Sequence, residues 1–305
     1  MLLALLLIFA QVGSFDYGVL IASNFSIERQ LLLFLSFFLA FGIKIPMVPI
    51  HLWLPEAHVE APTGGSVILA GILLKLGGYG FLRYTLPLFS EAVLFYTPLV
   101  HTVSLLGILY ASFTTLRQID MKKAIAYSSI AHMGYALVGL AAGTSEGASA
   151  VVIYMTTYVF MGAAAFGVIM TMRREGTPVE KISDFAGLSA SHPLLAAAMM
   201  VVMFSMAGIP PLAGFFGKWY VFLAAVNAGL IPLAVIGVLT SVIGAFYYLR
   251  IIKLMYFEDS DAPLDDGASH QNRMILIISV GFILFFFFGI GTLSQEAVSI
   301  VSVYF

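Results

Sequence analysis

The sequence contains no cysteine, and this absence excludes several kinds of site. Thiolate-bound zinc, iron–sulfur clusters and disulfides all require cysteine sulfur. The six histidines also lack the i, i+4 pairing of a haem-binding or zinc-binding helix. We therefore expect no cofactor and no metal in this chain, and we expect any redox chemistry that it serves to take place elsewhere.

Charge is also scarce. Charged residues make up 10% of the 305 residues and the formal net charge is -2, so no basic face is available for nucleic acid. Neither G-x-G-x-x-G nor G-x-x-x-x-G-K-[ST] occurs, which argues against a nucleotide-binding loop. Because 61% of the residues are hydrophobic, the chain has too little polar surface to cover a water-soluble globule. The composition indicates an integral membrane protein.

Apolar runs of about 20 residues, the length that crosses about 30 Å of hydrocarbon, recur along the whole chain. They predict an all-α, polytopic membrane helix bundle with about nine transmembrane helices, forming a single transmembrane domain over 1–305. The N-terminal run lacks a positive n-region and an A-x-A-like cleavage site, so we expect a retained first helix. The predicted spans are roughly 1–22, 30–54, 63–87, 92–115, 122–142, 146–172, 190–226, 229–257 and 274–303.

Lys44 is the first of three lysines that fall inside apolar runs. A charged side chain at the centre of a membrane helix costs about 2.5–3.5 kcal/mol, so a functional or structural reason is needed. The alternative is that the long side chain reaches the membrane surface. Pro46 and Pro49 follow directly and predict a broken helix within 30–54, because proline lacks the backbone donor. Freed carbonyls are tolerated there only beside protein or a hydrated cavity.

Lys75 lies within SVILAGILLKLGGYGFL and has no carboxylate near it in the sequence. An ammonium that is held in oil without a counter-ion releases its proton more easily than one in water. Lys75 is therefore a candidate for proton exchange near neutral pH. The alternative is a structural lysine that donates hydrogen bonds to carbonyls at a helix end.

Lys218, like Lys44, lies near two prolines in an apolar run, but here the prolines precede the lysine. It lies in GIPPLAGFFGKWYVFLAA, where Pro210 and Pro211 predict a break in the helix ahead of the lysine. The second predicted broken helix is therefore 190–226. The two sites are physically alike without being a sequence repeat.

His51 and His58 lie seven residues apart, on one face if the helix continues past Pro55. Each taken alone fits a structural histidine with satisfied hydrogen bonds. Histidine is also the natural relay between lysines, because its unperturbed pKa is about 6.5. For His132 and the neighbouring serines, proton conduction and hydrogen bonds back to the helix carbonyls remain equally open.

The segment KIPMVPIHLWLPEAHVEAPTGGSVILAGILLKLGGYGFLR (44–83) resembles the proton-pumping, antiporter-like membrane subunits of respiratory NADH-quinone oxidoreductase, complex I. Residues from about 30 to 130, ending with LRQIDMKKAIAYSSI (116–130), resemble the chain 4 (subunit M) type. Residues from about 131 to 257 resemble the chain 2 (subunit N) type, in blocks such as FSMAGIPPLAGFFGKWYVFLAA. The resemblance thus describes a mosaic of two paralogous subunits.

The resemblance implies a proton relay. Lys44 corresponds to the first lysine of the family, Lys75 to the central lysine and Lys218 to the terminal group, while His51 and His58 match histidines of the subunit M type. The family has about fourteen helices. By this resemblance, we expect the sequence to lack the early ones, including the helix whose glutamate pairs with the first lysine.

The resemblance further implies partners and location. The partners are other membrane-arm subunits and the lipid bilayer, with no nucleic acid, and the location is a bacterial inner membrane or the mitochondrial inner membrane. NADH, FMN, iron–sulfur clusters and quinone are expected on other subunits. Three functions remain open: proton translocation coupled to quinone reduction, a subunit of a multisubunit cation/proton antiporter or membrane-bound hydrogenase, and a non-conducting structural subunit.

Overall fold

A computed structural model of the chain describes residues 1–259, 264–265 and 269–303. This part of the chain is an all-α bundle, and its other regular structures are one short hairpin of strands and a 3-10 helix at Ile182–Phe185. The helices are α1 Leu2–Val12, α2 Tyr17–Ala22, α3 Ile27–Lys44, α4 Trp53–Glu60, α5 Thr63–Leu88, α6 Ser90–Leu116, α7 Met121–Ala141, α8 Ser145–Thr171, α9 Leu188–Ser191, α10 Pro193–Ala207, α11 Ala213–Asn227, α12 Ile231–Phe257 and α13 His270–Val301. The strands are β1 Arg173–Arg174 and β2 Thr177–Pro178, which pair antiparallel.

The predicted multi-pass helix bundle is confirmed, but nine continuous spans are not. In the described ranges, six helices are long and apolar enough to cross a membrane: α5, α6, α7, α8, α12 and α13. They correspond to six of the predicted spans. The other three predicted spans are each divided into two helices.

Two of these divisions are the predicted breaks at prolines. The helix over 30–54 is replaced by α3 and α4, and the helix over 190–226 by α10 and α11. The third division contradicts the prediction of one helix over 1–22. There, Gly13 adopts a positive φ of 75° after α1, and the Asp16 carboxylate caps α2 by accepting from the backbone N–H groups of Gly18 and Val19.

α7 is the central helix of the bundle, and nearly all of its residues are buried. Small residues allow its neighbours to approach closely. A Cβ atom at Gly134 would lie 2.8 Å from Ile108 Cγ1 and 3.2 Å from the Ser104 carbonyl oxygen, both on α6. The side chains of α7 are thereby surrounded by protein on all sides.

α5 is continuous but irregular. It contains two π-helical turns, Leu69–Leu73 and Phe81–Thr85, within an otherwise α-helical segment. A π turn leaves backbone carbonyls displaced from the regular ladder, and such turns are frequent at functional sites. The first π turn lies directly ahead of Lys75.

Candidate functional site

Lys218 lies on α11 and points back across the break towards the end of α10. Its ammonium donates to the carbonyl oxygens of Met206 (2.9 Å) and Ala207 (3.1 Å) and to Ser241 Oγ (2.7 Å). The last carbonyls of a helix have no partner within the helix, so the break supplies these acceptors. Three acceptors match the three N–H donors of an ammonium group, and the residue is 7% exposed.

Lys75 is half-buried on α5, and its ammonium lies 4.1 Å from the centre of the Tyr158 ring. It also donates a hydrogen bond to the carbonyl oxygen of Ala70, which lies in the first π turn. Both contacts are to uncharged groups, a ring face and a displaced carbonyl. Lys75 thus enters the bundle interior with no carboxylate bound to it among the residues described.

His132 lies on α7 between the two lysines and is 1% exposed. Both ring nitrogens hydrogen bond to tyrosine hydroxyls: Nδ1 with Tyr154 Oη at 2.6 Å, and Nε2 with Tyr248 Oη at 3.0 Å. A neutral imidazole donates from one nitrogen and accepts at the other. A proton that reaches one nitrogen can therefore leave from the other, on the opposite side of the ring.

Aromatic rings and hydroxyls connect His132 to both lysines. The Tyr158 ring, which faces Lys75, lies 4.8 Å from the His132 ring, and the Tyr135 ring lies 5.0 Å from the Lys218 ammonium. The Tyr135 ring in turn lies 6.0 Å from the His132 ring, so one aromatic ring contacts both His132 and each lysine. The sequence order Lys75, His132, Lys218 is therefore also an order in space.

Serine hydroxyls complete the hydrogen bonds of the tyrosines. Tyr158 donates to Ser129 Oγ at 2.7 Å, and Ser128 Oγ bonds with Tyr248 Oη, also at 2.7 Å. Ser129 in turn donates to the carbonyl oxygen of Ile125 on its own helix. Such a bond back to the helix is one of the two alternatives that the sequence left open for these serines. The interior is thus a fully buried polar network rather than a row of isolated hydroxyls.

His58 lies at the outer end of this line of groups. It is fully buried, its ring stacks on Phe166 at 4.8 Å, and neither ring nitrogen makes a hydrogen bond to any residue in the described ranges. Lys122 and Lys75 both lie close enough to His58 to interact with it electrostatically. Lys122 forms a 2.5 Å ion pair with Glu180, whose side chain is partly exposed. This pair places the end of the line near the surface of the bundle.

Lys44 and His51 lie outside the interior network. Lys44 is exposed at the end of α3, although its Cβ packs close to Gly77 on α5. His51 is 4% exposed in the segment between α3 and α4, with its ring edge-on to Tyr110 at 4.7 Å. The roles assigned to these two residues by resemblance stay predictions.

His132 makes more buried hydrogen bonds than the sequence indicates, and its tyrosine partners were not predicted. The available signals were Ser128, His132 and Tyr135 at i, i+4 and i+7 on α7, and Tyr154 and Tyr158 at i, i+4 on α8. In the described part of the chain, no group of three or more His, Asp or Glu side chains is placed to bind a metal ion.

Comparisons with known proteins identify related membrane proteins. Residues 1–244 match the family profile described as NADH:quinone oxidoreductase/Mrp antiporter, transmembrane. Subunit N of NADH-quinone oxidoreductase from Rhodospirillum rubrum is 45% identical over 282 residues, which are 92% of this chain and 58% of that protein. Chain 4 of NADH-ubiquinone oxidoreductase from Marchantia polymorpha is 39% identical over 285 residues, 93% of this chain and 57% of that protein. Both subunit types thus align along most of the chain, and its division near residue 130 stays a prediction.

Solved structures give the same fold. The chain superposes on respiratory complex I from Thermus thermophilus with bound NADH at a TM-score of 0.87 and 28% identity, covering 99% of this chain and 65% of that one. It superposes on the Mrp complex from Dietzia at a TM-score of 0.85 and 20% identity, covering 99% and 65%, which shows a shared fold. The chain spans a little over half the length of the curated relatives it matches.

Proposed function

Because this chain belongs to the transmembrane family of NADH:quinone oxidoreductases and Mrp antiporters, as its motifs predict, we propose that it relays protons in the membrane arm of an NADH:quinone oxidoreductase. Quinone reduction on other subunits drives the relay, and NADH, FMN and iron–sulfur clusters are carried there too. The relatives named as subunit N and chain 4 of that enzyme support this assignment. The partners are the other subunits of the membrane arm.

One observation carries the proposal: His132 is hydrogen bonded through both ring nitrogens and lies, through the Tyr158 and Tyr135 rings, between two lysines that point into the bundle. A structural histidine needs one satisfied donor and one satisfied acceptor, and a titratable lysine on either side adds nothing to that role. Buried charges without carboxylate partners are costly, so their retention at both ends of one histidine indicates use.

In this relay a proton reaches Lys75, passes through His132 and its tyrosines, and leaves from Lys218. A change in the charge of one group alters the affinity of the next for a proton, because Coulomb interactions are strong where water is excluded. Moving one charge against a membrane potential of 100 mV requires about 2.3 kcal/mol, which quinone reduction supplies. His58 and the Lys122–Glu180 pair connect Lys75 with the bundle surface.

Lys44 and His51 stay in the proposal as an outer branch of the relay. Lys44 is exposed and has no ion-pair partner in the residues described, so its contribution depends on a carboxylate from a neighbouring helix. Such a carboxylate would set how readily Lys44 releases its proton to Lys75.

The test is Lys75→Met in the assembled complex. We expect loss of proton pumping, measured in membrane vesicles with a pH-sensitive dye during NADH oxidation, while the complex assembles in normal amounts. Lys253→Met is the matched control, because Lys253 is exposed and its one ion pair in the described ranges is a surface contact with Glu258 at 3.8 Å. Full pumping by an assembled Lys75→Met complex would show that the chain is a non-conducting structural subunit.

A multisubunit cation/proton antiporter is the second candidate, because the family profile and the Mrp complex share this fold. The higher identity to NADH-quinone oxidoreductase subunits favours the respiratory enzyme. Transport that depends on sodium and proceeds without quinone would favour the antiporter instead.

A further inference from the structure

An open groove of about 810 Å³ lies between α10 and α13, away from the lysine line. Its walls are almost entirely apolar along its length, with Ala198 and Val201 on one side and Ile277, Val280 and Leu284 on the other. α13 is the most apolar of the six long helices and is largely exposed, so this face meets the membrane or a neighbour.

The groove has one polar end. Arg273 and Asp265 line it there, next to the first residues of α10 and α13. The Asp265 carboxylate is already bound, because it accepts from the backbone N–H groups of Glu175 (2.9 Å) and Gly176 (2.7 Å) in the β1–β2 turn. Arg273 is exposed and forms no ion pair within the described ranges. Among the residues described, the polar end therefore presents a cation without an ion-pair partner.

The length of the groove fits one leaflet of a bilayer. Arg273 and Leu284 are 11 residues apart on α13, which corresponds to about 16 Å at 1.5 Å per residue. Half of the hydrocarbon core of a bilayer is about 15 Å thick. An acyl chain whose headgroup lies beside Arg273 would thus follow the apolar walls to the level of the bilayer centre.

We propose that this groove binds one phospholipid with an anionic headgroup, whose phosphate contacts the Arg273 guanidinium and whose acyl chain packs between α10 and α13. A guanidinium is suited to phosphate because its N–H donors match the phosphate oxygens in pairs. The Asp265 carboxylate keeps its negative charge, but its two oxygens accept from the backbone N–H groups of the β1–β2 turn, which offset part of that charge. The site is independent of the proposed proton relay.

The experiment measures lipid retained by the full 305-residue chain, purified with its associated subunits and exchanged into phosphatidylglycerol or phosphatidylcholine nanodiscs before detergent extraction and native mass spectrometry. Two variants address the two halves of the site. Arg273→Gln removes the cation, and Ala198→Trp places a large side chain in the apolar part of the groove. Arg250→Gln is the matched control, because Arg250 is an exposed arginine on α12 outside the groove.

We expect the unmodified protein to retain phosphatidylglycerol in preference to phosphatidylcholine. Arg273→Gln should reduce the retained phosphatidylglycerol about fivefold, the effect of one basic residue at an anionic membrane surface. Ala198→Trp should reduce retention of both lipids, and Arg250→Gln should leave retention unchanged.

Three results would overturn the proposal. The first is equal retention of the two lipids by the unmodified protein. The second is retention by both groove variants at the level of Arg250→Gln. The third is a groove that is occupied by a helix of a neighbouring subunit, detected as a crosslink from a photoreactive residue at position 277 to protein instead of lipid.

Discussion

Lys218 and Lys44 look alike in the sequence, yet they occupy opposite environments. Both are lysines beside a proline break in an apolar run, but Lys218 is buried with three acceptors and Lys44 is exposed at the end of α3. The direction of a helical side chain explains the difference, because every Cα–Cβ bond tilts towards the N-terminus of its helix. Lys218 follows its break and leans back towards the free carbonyls of α10. Lys44 precedes its break and leans away from it.

The comparison shows which side of the molecule is complete in itself. The interior around α7 supplies partners for Lys218, His132 and the tyrosines from within the chain. At the edge formed by α3 and α4, Lys44 has no hydrogen-bond or ion-pair partner among the described residues. Substitutions should therefore have large effects in the interior and small effects at this edge.

The largest effect is expected for His132→Gln. Glutamine can hydrogen bond to Tyr154 and Tyr248 but cannot carry a proton, so pumping should fall about 100-fold, as for loss of a general acid–base group. His51→Gln at the open edge should reduce pumping much less. Both variants are compared in vesicles at equal complex content, with His101→Gln as a control outside the line, bonded to the Ala141 carbonyl. Equal losses in the His51 and His132 variants would remove the distinction between the two regions.

Gly214→Leu tests how tightly the interior is packed. A Cβ atom at position 214 would collide with the Ser205 carbonyl oxygen, so we expect destabilisation of about 3 kcal/mol. Gly289→Leu is the matched control, since no atom in the described ranges lies within 4 Å of its added Cβ. Thermal unfolding in detergent compares the two, and a Gly214 variant as stable as the Gly289 variant would contradict the packing described.

Ser241→Ala removes one of the three acceptors of Lys218 and keeps both helix carbonyls. We expect a loss of about 1.5 kcal/mol, within the range for a hydrogen bond to a charged group. Denaturant-induced unfolding measures the loss. Ser241→Thr, which retains the hydroxyl, should restore most of the stability, and a neutral Ser241→Ala change would mean that Lys218 is held by the carbonyls alone.

Lys44→Met should have the smallest effect on the stability of the isolated chain. Its ammonium makes no hydrogen bond or ion pair in the described part of the chain, so the change should lie within about 0.5 kcal/mol. The same measurement in the assembled complex sharpens the comparison. A large loss of stability there, absent in the isolated chain, would identify a partner that supplies the missing acceptor.

Much of the fold was predictable because its determinants are local. Run length defined six long helices within a few residues of their observed ends, and prolines placed both breaks. The division at Gly13 and the hairpin at 173–178 were missed, because an apolar run conceals a single glycine turn and a two-residue strand has no periodicity. The π turns of α5 were also missed, since they depend on how the helix packs and no residue type specifies them.

The candidate site was only partly predictable. Lys75 and Lys218 stand out because charge is rare in an apolar run, and both do point into the bundle. Tyr154, Tyr158 and Tyr248 do not stand out, because a tyrosine in a membrane helix looks like any other packing residue until its hydroxyl finds a partner. For His132 the sequence leaves proton conduction and a structural role equally open. Only the structure shows that both of its ring nitrogens bond to tyrosine hydroxyls.

The sequence by itself determined the membrane location, the helices, their breaks and the rarity of the lysines, because these follow from hydrophobicity and backbone chemistry within a few residues. Tertiary structure alone decided which lysine has a partner. The hydrogen bond between Ser128 and Tyr248 joins residues 120 positions apart, and Lys218 reaches Ser241 from another helix. Such contacts depend on how helices pack, and in a chain of apolar helices many packings satisfy the same local pattern.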